Sequence, residues 1–273
     1  MTINCKGTLI DLTLPKVMGI INITPNSFYD GGKYNSETAI LEQVEKMLAD
    51  GAAFIDVGAY SSKPNAAFVT EEEELNRIIP VVNTIGKHFP EALLSIDTFR
   101  STIARACVEH GAAMINDISA GNLDEKMLET VAALRVPYIM MHMRGTPNTM
   151  RSLTDYENIV KEILFYFSEK ISVARSLGII DIIIDPGFGF SKTLDQNYEI
   201  LQKLELFQMP ELPLLVGISR KSMVYKVLGT TAADALNGTT VLNTIALQKG
   251  ANILRVHDVK EAVECVKLME MVM

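Results

Sequence analysis

Short apolar runs recur along the chain, each followed by a polar or glycine-rich break and then a longer helical pattern. Eight runs stand out: Val17–Ile23, Phe54–Val57, Leu93–Ile96, Ala113–Ile118, Val136–Met141, Asp181–Ile184, Leu214–Ile218 and Asn252–Val256. They are short and rich in Ile, Val and other apolar residues, which predicts strands buried on both faces, as in a parallel sheet. Between them the apolar residues fall at helical spacing. One such segment follows Asn35, with Ile40, Leu41, Val44, Met47 and Leu48 on one face. Another starts near Thr70, which stands before four glutamates as an N-cap would at a positive dipole end. Further helices are expected over Arg100–Glu109, Leu123–Leu134, Tyr156–Ser176, Leu194–Leu206, Lys221–Leu228, Ala232–Lys249 and Val259–Met271. Gly51-Ala52, Gly111-Ala112 and Gly250-Ala251 each close a helix just before a run, the usual C-cap chemistry.

Eight strands alternating with helices predict an α/β protein built as a (β/α)8 TIM barrel. An open, doubly wound sheet is the alternative, weakened by the lack of a GxGxxG after the first run. Residues 3–12 alternate around Lys6-Gly7 and predict a short N-terminal hairpin that plugs the bottom of the barrel. No low-complexity segment or long linker divides the chain, so residues 1–273 read as one domain.

The 273 residues are 48% hydrophobic and 21% charged, ordinary globular usage. The net charge of −8 argues against duplex nucleic acid or an anionic membrane as partner. Cys5, Cys107 and Cys265 lie far apart with no CxxC, which argues against a disulfide framework or structural zinc and for a reducing, cytoplasmic setting. The polar residues in MTINCKGTLIDLTLPK argue against a secretory signal, and every apolar run is far shorter than the roughly 20 residues needed to cross a bilayer.

In such a barrel the functional site lies at the C-terminal ends of the strands. The residues at or after the runs are Asn22, Ser61-Ser62-Lys63, Asp97, Asn116-Asp117, His142, Asp185, Ser219-Arg220-Lys221, Arg255 and His257, so every strand delivers a polar side chain to one rim. Lys63, Arg220, Lys221 and Arg255, with His257, form a local cationic excess in an acidic protein, which suits a phosphate or diphosphate. The alternative is that Arg220 and Arg255 pair with Asp117, Asp185 or Asp258. Asp97, Asn116 and Asp185 form a second set. A carboxylate accepts two parallel N–H bonds from an aminopyrimidine edge, and an amide both donates and accepts. Against this, Asp97 could cap the following helix and Asn116 could close a turn.

His88, His110, His142 and His257 show no HxH or HExxH spacing, so zinc hydrolase chemistry is disfavoured, and His88 and His110 are read as structural. Asn22 is a candidate Mg²⁺ ligand, since Mg²⁺ often takes one or two protein oxygens and keeps its waters. Gly187–Thr193 lacks Walker spacing. Phe190 is either an aromatic wall or plain packing, and Met140, Met141 and Met143 read as core filling, with Met141 also a candidate cavity wall. Thr24–Tyr34 and Ala59–Thr70 are long βα loops, candidate lids or simple connectors.

Taken together, the segments Gly19–Phe28, Ser95–Thr98, Ile115–Asp117, Asp185–Phe190, Gly217–Ser222 and Arg255–Asp258 resemble the dihydropteroate synthase family of pterin-binding enzymes, the sulfonamide targets of folate biosynthesis. The resemblance runs from Val17 to His257. It implies a TIM barrel, usually a homodimer, that condenses (7,8-dihydropterin-6-yl)methyl diphosphate with 4-aminobenzoate, giving 7,8-dihydropteroate and diphosphate. By similarity Asp97, Asn116, Asp185 and Lys221 hold the pterin, in a pocket to which Met141 and Gly217 belong. Asn22 ligates Mg²⁺, Ser62, Arg255 and His257 serve the diphosphate, and Lys63 is a further substrate-binding candidate. Phe28, Pro64, Phe190, Lys221 and Ser222 shape the aminobenzoate pocket, and Asp30 closes over the reacting carbon with the first loop. Asp30, Lys221, Arg255 and His257 are the catalytic candidates. No protein nucleophile is required, which suits the lack of a Ser/His/Asp arrangement.

The chain departs from the family pattern in its loops. Asn26 stands where the family usually has Asp, and Ala59-Tyr60-Ser61-Ser62-Lys63-Pro64-Asn65 replaces Gly-Glu-Ser-Thr-Arg-Pro-Gly. Ser for Thr keeps a hydroxyl, whereas Lys for Arg keeps the charge but loses the planar fork. A corrinoid-linked methyltransferase and a non-catalytic pterin-binding paralogue share the barrel and are the rival readings.

Overall fold

The computed structural model describes residues 1–23, 33–60 and 69–272. The hairpin is present as β1 (Thr2–Cys5) and β2 (Thr8–Asp11), antiparallel. The barrel strands follow as β3 (Lys16–Asn22), β4 (Phe54–Gly58), β5 (Leu94–Asp97), β6 (Met114–Asp117), β7 (Tyr138–Met141), β8 (Ile182–Asp185), β9 (Leu215–Val216) and β10 (Ile253–Val256). They pair in parallel in the order β8-β7-β6-β5-β4-β3-β10-β9. A parallel bridge between Ile184 and Leu214 joins the two edges and closes the barrel. Helices α1 (Lys33–Ala49), α2 (Glu71–His88), α3 (Ser101–Glu109), α4 (Met127–Leu134), α5 (Ile159–Ser176), α6 (Leu194–Gln202), α7 (Ser222–Leu228), α8 (Leu236–Gln248) and α9 (Val259–Met269) lie outside it.

Strand alternation sorts the apolar residues into two cores. Side chains such as Val17, Ile21, Ile55, Val57, Ile96, Ile115, Ile182, Ile184 and Leu254 face outward and pack against the helices. Those of the opposite phase, Met18, Phe54, Met114, Ile139, Ile183, Leu215 and Ile253, fill the lower barrel with Ile3, Cys5 and Leu12 of the hairpin segment. The hairpin therefore seals the bottom, as its alternation predicts. Two residues beyond Phe54, Met114, Ile183 and Ile253 on this inward phase stand Asp56, Asn116, Asp185 and Arg255, so the period of the strands decides which polar residues enter the site.

Helix ends differ from expectation where side chains compete for backbone. Thr70 does cap α2 as expected, accepting from the Glu73 amide at 3.2 Å, but two other helices start late. Helix α4 starts at Met127 rather than Leu123, because the Asp124 carboxylate turns to accept from Lys126 N and, 2.7 Å away, from Ser101 N at the start of α3. Helix α8 starts at Leu236 rather than Ala232, since Asp234 forms a turn with Thr231 and the Ala232 and Ala233 carbonyls accept from Arg220. Gly250 closes α8 at φ +92°, where a Cβ would meet the Gln208 side chain at 1.5 Å.

Candidate active site

The polar mouth is assembled from the ends of β4, β5, β6, β8 and β10. Register pairs Asp97 with Gly58 on one side and Asn116 on the other, so the first two ring-reading candidates stand on adjacent strands and face the same way. Gly58 keeps this approach open, since a Cβ there would come 3.2 Å from that of Asp97. The Asp97 and Asn116 side chains are linked through Asp56 and Arg255. Arg255 Nε donates to Asp56 Oδ2 at 2.6 Å and its Nη2 to Asp97 Oδ2 at 2.7 Å, while Asn116 Nδ2 donates to Asp56 Oδ2 at 3.1 Å. Asp97 therefore does not cap α3, a task taken by Asp124, and Asn116 does not close a turn. The neighbouring Asp117 does: it has the outward phase and accepts from Ser119 N, Ser119 Oγ, Gly121 N and Tyr138 Oη.

Asp185 ends β8 and is buried, with Oδ1 accepting from Gly187 N at 2.7 Å. Gly187 has φ +73°, and a Cβ there would come 2.2 Å from the His142 carbonyl. Lys221 follows the ninth strand and donates to the Phe188 carbonyl at 2.6 Å, with its ammonium 5.0 Å from the centre of the Phe190 ring. A Cβ on Gly217 would lie 3.8 Å from Lys221 Nζ and 3.9 Å from Arg255 Cβ, so this glycine leaves the space between the two cations open. Phe190 packs on an apolar cluster of Ile118, Met141, Met143 and Met150. His257, exposed beyond β10, has Nδ1 3.1 Å from Ser219 Oγ.

Burial and neighbouring charges set the protonation. Burial pushes the Asp97 carboxyl up to about 7; Arg255 opposes this, whereas Asp56 adds to it. Burial also raises Asp185, against the pull of Lys221. Lys221 is drawn down to about 8 by burial, opposed by Asp185. Burial disfavours the Arg255 charge, yet Asp56 and Asp97 outweigh it and hold the guanidinium protonated. The mouth is thus a set of buried, mutually compensating charges with an aromatic wall, able to read a flat ring that carries N–H donors.

The match to known proteins agrees with this geometry. Residues 18–257 fit the model of the pterin-binding enzyme family. The Escherichia coli K12 dihydropteroate synthase is 42% identical over 272 residues, 99% of this chain and 96% of the relative. This chain belongs to the dihydropteroate synthases. The Yersinia pestis dihydropteroate synthase, solved in a sulfonamide drug complex, superposes with a TM-score of 0.93 at 39% identity, covering 100% of this chain and 99% of that one. The Xanthomonas albilineans enzyme, solved with 7,8-dihydropteroate, gives 0.88 at 34%, covering 100% and 98%.

Of the residues that the dihydropteroate synthase resemblance singles out, Asp97, Asn116, Met141, Asp185, Phe190, Gly217, Lys221, Arg255 and His257 lie around this one mouth, and Ser222 opens α7 directly after Lys221. Asn22 ends β3 with its side chain exposed. Phe28, Asp30, Ser62, Lys63 and Pro64 lie outside the described residues. Arg220 does not join the cationic rim. Its Nε and Nη2 hold Asp258 at 2.8 and 2.7 Å, and its Nη1 takes the Ala232 and Ala233 carbonyls, so it braces the β10 end against the segment before α8. Arg255 pairs with Asp56 and Asp97, neither of them a partner foreseen for it.

Sequence reasoning missed Asp56 and Lys192. Asp56 is fully buried within β4, and the signal was a lone aspartate inside an otherwise apolar run. Lys192, also buried, donates to the carbonyls of His142, Gly187 and Phe190 and lies 3.1 Å from His142 Nδ1. It pins the Gly187–Phe190 loop to the end of β7. Burial, with help from Lys192, draws His142 down to about 2, leaving a neutral ring that serves packing. Among the described residues, no group of three or more His, Cys, Asp or Glu is placed to hold a metal.

Proposed function

We infer that this chain is a transferase of folate biosynthesis that joins (7,8-dihydropterin-6-yl)methyl diphosphate to 4-aminobenzoate, releasing diphosphate and forming 7,8-dihydropteroate. The carrying observation is the convergence of Asp97, Asn116, Asp185 and Lys221 on the mouth of a barrel whose family is that of the dihydropteroate synthases. In this reading the two carboxylates and the amide take the N–H donors of the aminopyrimidinone edge. A wrong heterocycle leaves one of these buried groups unpaired, at about 1–3 kcal/mol each. The 4-aminobenzoate ring would sit toward Phe190 and Ser222, with Phe28 and Pro64 completing its pocket. Ser62, Lys63, Arg255 and His257 would meet the diphosphate, and Asp30 would shield the reacting carbon from water. The 42% identity to a dihydropteroate synthase over nearly the whole chain favours this reading over methylfolate transfer and over a non-catalytic paralogue.

A Mg²⁺ requirement belongs to the same proposal. Asn22 supplies one hard amide oxygen at the rim, and its side chain has no partner among the described residues. That donor set suits a cation that arrives with diphosphate oxygens and keeps its waters, and it suits neither zinc nor a soft metal. Bound there, Mg²⁺ would offset the charge of the leaving diphosphate. A homodimer and a cytoplasmic setting complete the reading. Exposed Val227, Leu228, Val241 and Leu268 on the last three helices favour a covered surface, and three free, buried cysteines suit a reducing compartment. No helix among the described residues is long and apolar enough to cross a membrane.

The deciding assay incubates the protein with the pterin diphosphate, Mg²⁺ and 4-aminobenzoate and follows both diphosphate and dihydropteroate. Diphosphate released only when the arylamine is present, in step with dihydropteroate, is the expected result. Binding of the pterin without turnover would point to the paralogue. Light scattering gives the oligomeric state.

A further inference from the structure

Asp56 is a charged side chain with no exposure, set in the middle of a strand and facing into the barrel. Burying an ionised carboxylate costs several kcal/mol unless partners compensate it. Its Oδ2 has two partners, Arg255 and Asn116. Its Oδ1 has none among the described residues, and neither has Oγ of Ser95, its register partner on β5. Ligand recognition makes a demand on this cluster. Arg255 engages Asp97 through Oδ2, so a ring that takes both carboxylate oxygens with two parallel N–H bonds competes with that contact. A guanidinium held by Asp97 alone would then be stranded, unpaired, inside the barrel. The sharing of Arg255 between two aspartates removes the difficulty, because Nε and Nη2 both lie 2.6 Å from Asp56 Oδ2 and keep that partner when Nη2 leaves Asp97.

We propose that Asp56 is a positioning residue of this site: it anchors Arg255 through Nε and Asn116 through Nδ2, so that a flat heterocycle with N–H donors takes Asp97 from Arg255 without stranding the guanidinium. The proposal rests on the pterin reading above. It adds to that reading a fixed pivot for the residue that turns from the ring pocket toward the anion. Asp56 touches neither reacting atom and acts through Arg255 and Asn116. The charges that act on Asp97 are Arg255 from β10, Asp56 from β4, Glu74 from α2, the outward-facing Asp117 from β6 and Lys221 from the segment after β9. Asp56 is the carboxylate of the set that shares the Arg255 guanidinium with Asp97.

The test is calorimetric titration of the pterin diphosphate, with Mg²⁺, into the wild type and Asp56→Asn from pH 5.5 to 8.5. Asn keeps the shape and one acceptor for Asn116 but loses the charge that holds Arg255. Wild-type protein that fails to bind overturns the pterin reading, and this inference with it. If the wild type binds, Asp56→Asn is expected to raise Kd by about 10- to 100-fold, as loss of an orienting contact does. It should also move the acid limb of the affinity profile to lower pH, since one of the charges that keep Asp97 protonated has gone. A merely structural role would lower the melting temperature and leave that limb in place. An unchanged Kd and an unchanged limb in folded Asp56→Asn refute the positioning role alone. A second measurement avoids dependence on that variant: in ¹⁵N-arginine-labelled wild type, the Arg255 Nε–H resonance, assigned by its loss in Arg255→Lys, should persist through saturation with the ligand. Its collapse into solvent exchange on binding would equally overturn the pivot.

Discussion

Asp97→Asn should raise the stability of the ligand-free protein and abolish pterin binding, and the gain should depend on pH in a defined direction. In the folded chain the Asp97 carboxyl is held up to about 7, against 3.8 for the unperturbed group. The folded state therefore keeps a proton that the unfolded chain releases. A group raised in this way contributes stability that is full below its unfolded value and is lost as pH climbs through its folded value. The gap of about 3 pH units, at 1.36 kcal/mol each, corresponds to about 4 kcal/mol at pH 8. Asn cannot ionise and retains an acceptor for Arg255 Nη2, so it escapes this penalty. The wild type and the variant should differ least near pH 4. The variant should gain progressively up to pH 7 and hold its advantage above that. With about 2.1 cal/mol/K of unfolding entropy for each of the 273 residues, the gain corresponds to roughly 7 °C in melting temperature at pH 8. Urea unfolding and thermal melts at pH 4.5, 6 and 8, with pterin titration at pH 8, measure both halves. A stability difference that does not change with pH, or an Asp97→Asn protein that binds the pterin as tightly as the wild type, would refute the reasoning.

Other outcomes follow from single contacts. Lys221→Ala removes the cation beside Asp185 and the donor to Phe188 O, and should abolish pterin binding; unchanged affinity by calorimetry contradicts the pocket assignment. Excess EDTA should stop turnover and added Mg²⁺ should restore it, whereas full activity in EDTA removes Asn22 from its proposed role. Tyr138→Phe deletes a 2.6 Å bond to the outward-facing Asp117 and should cost about 1–2 kcal/mol of stability. Because that bond lies on the far side of the strand, kcat and KM should stay as they are, and a change in either would place Asp117 in the site.

The strand rhythm made most of the barrel legible, because a strand covered on both faces must be a nearly continuous apolar run. The runs end within two residues of β3 to β10, with β9 the shortest of them. The mouth was legible in part. Asp97, Asn116 and Asp185 stand at the ends of runs, where a barrel puts its chemistry. Asn116 and Asp117 are sequence neighbours with equal claim, and only the inward phase of Met114, two residues back, separates them. Asp56 could have been found by the same phase, one step above Phe54, but an aspartate within an apolar run reads as an interruption until its cation is known. That cation, Arg255, is 199 residues away and becomes adjacent only because β10 pairs with β3 and β3 with β4. Arg220 takes the ion-pair alternative: its partner Asp258, one of three carboxylates open to it in the sequence, belongs to the next strand's loop, and only the fold selects it over Asp117 and Asp185.

The arrangement of charge in the mouth bears on the rate as well as on recognition. Three carboxylates, Asp56, Asp97 and Asp185, face two cations, Lys221 and Arg255, so the floor is acidic when all are ionised. Ser219 and His257 lie at the lip, on the side where the diphosphate is proposed to sit. Breaking the C–O bond sends positive charge into the pterin ring, over the floor, and negative charge into the diphosphate, toward the lip. A fixed field of that direction favours the transition state over the ground state, because charge separates along it. Asp185 is the floor residue that isolates this effect. Asp185→Asn keeps the size and an acceptor for Gly187 N, and it removes only the charge. If the field matters, kcat should fall by about 100-fold, the scale of losing one well-placed electrostatic contact, with a smaller change in KM. A rise in KM with kcat intact would confine Asp185 to holding the ring, and the acidity of the floor would then be a matter of recognition alone.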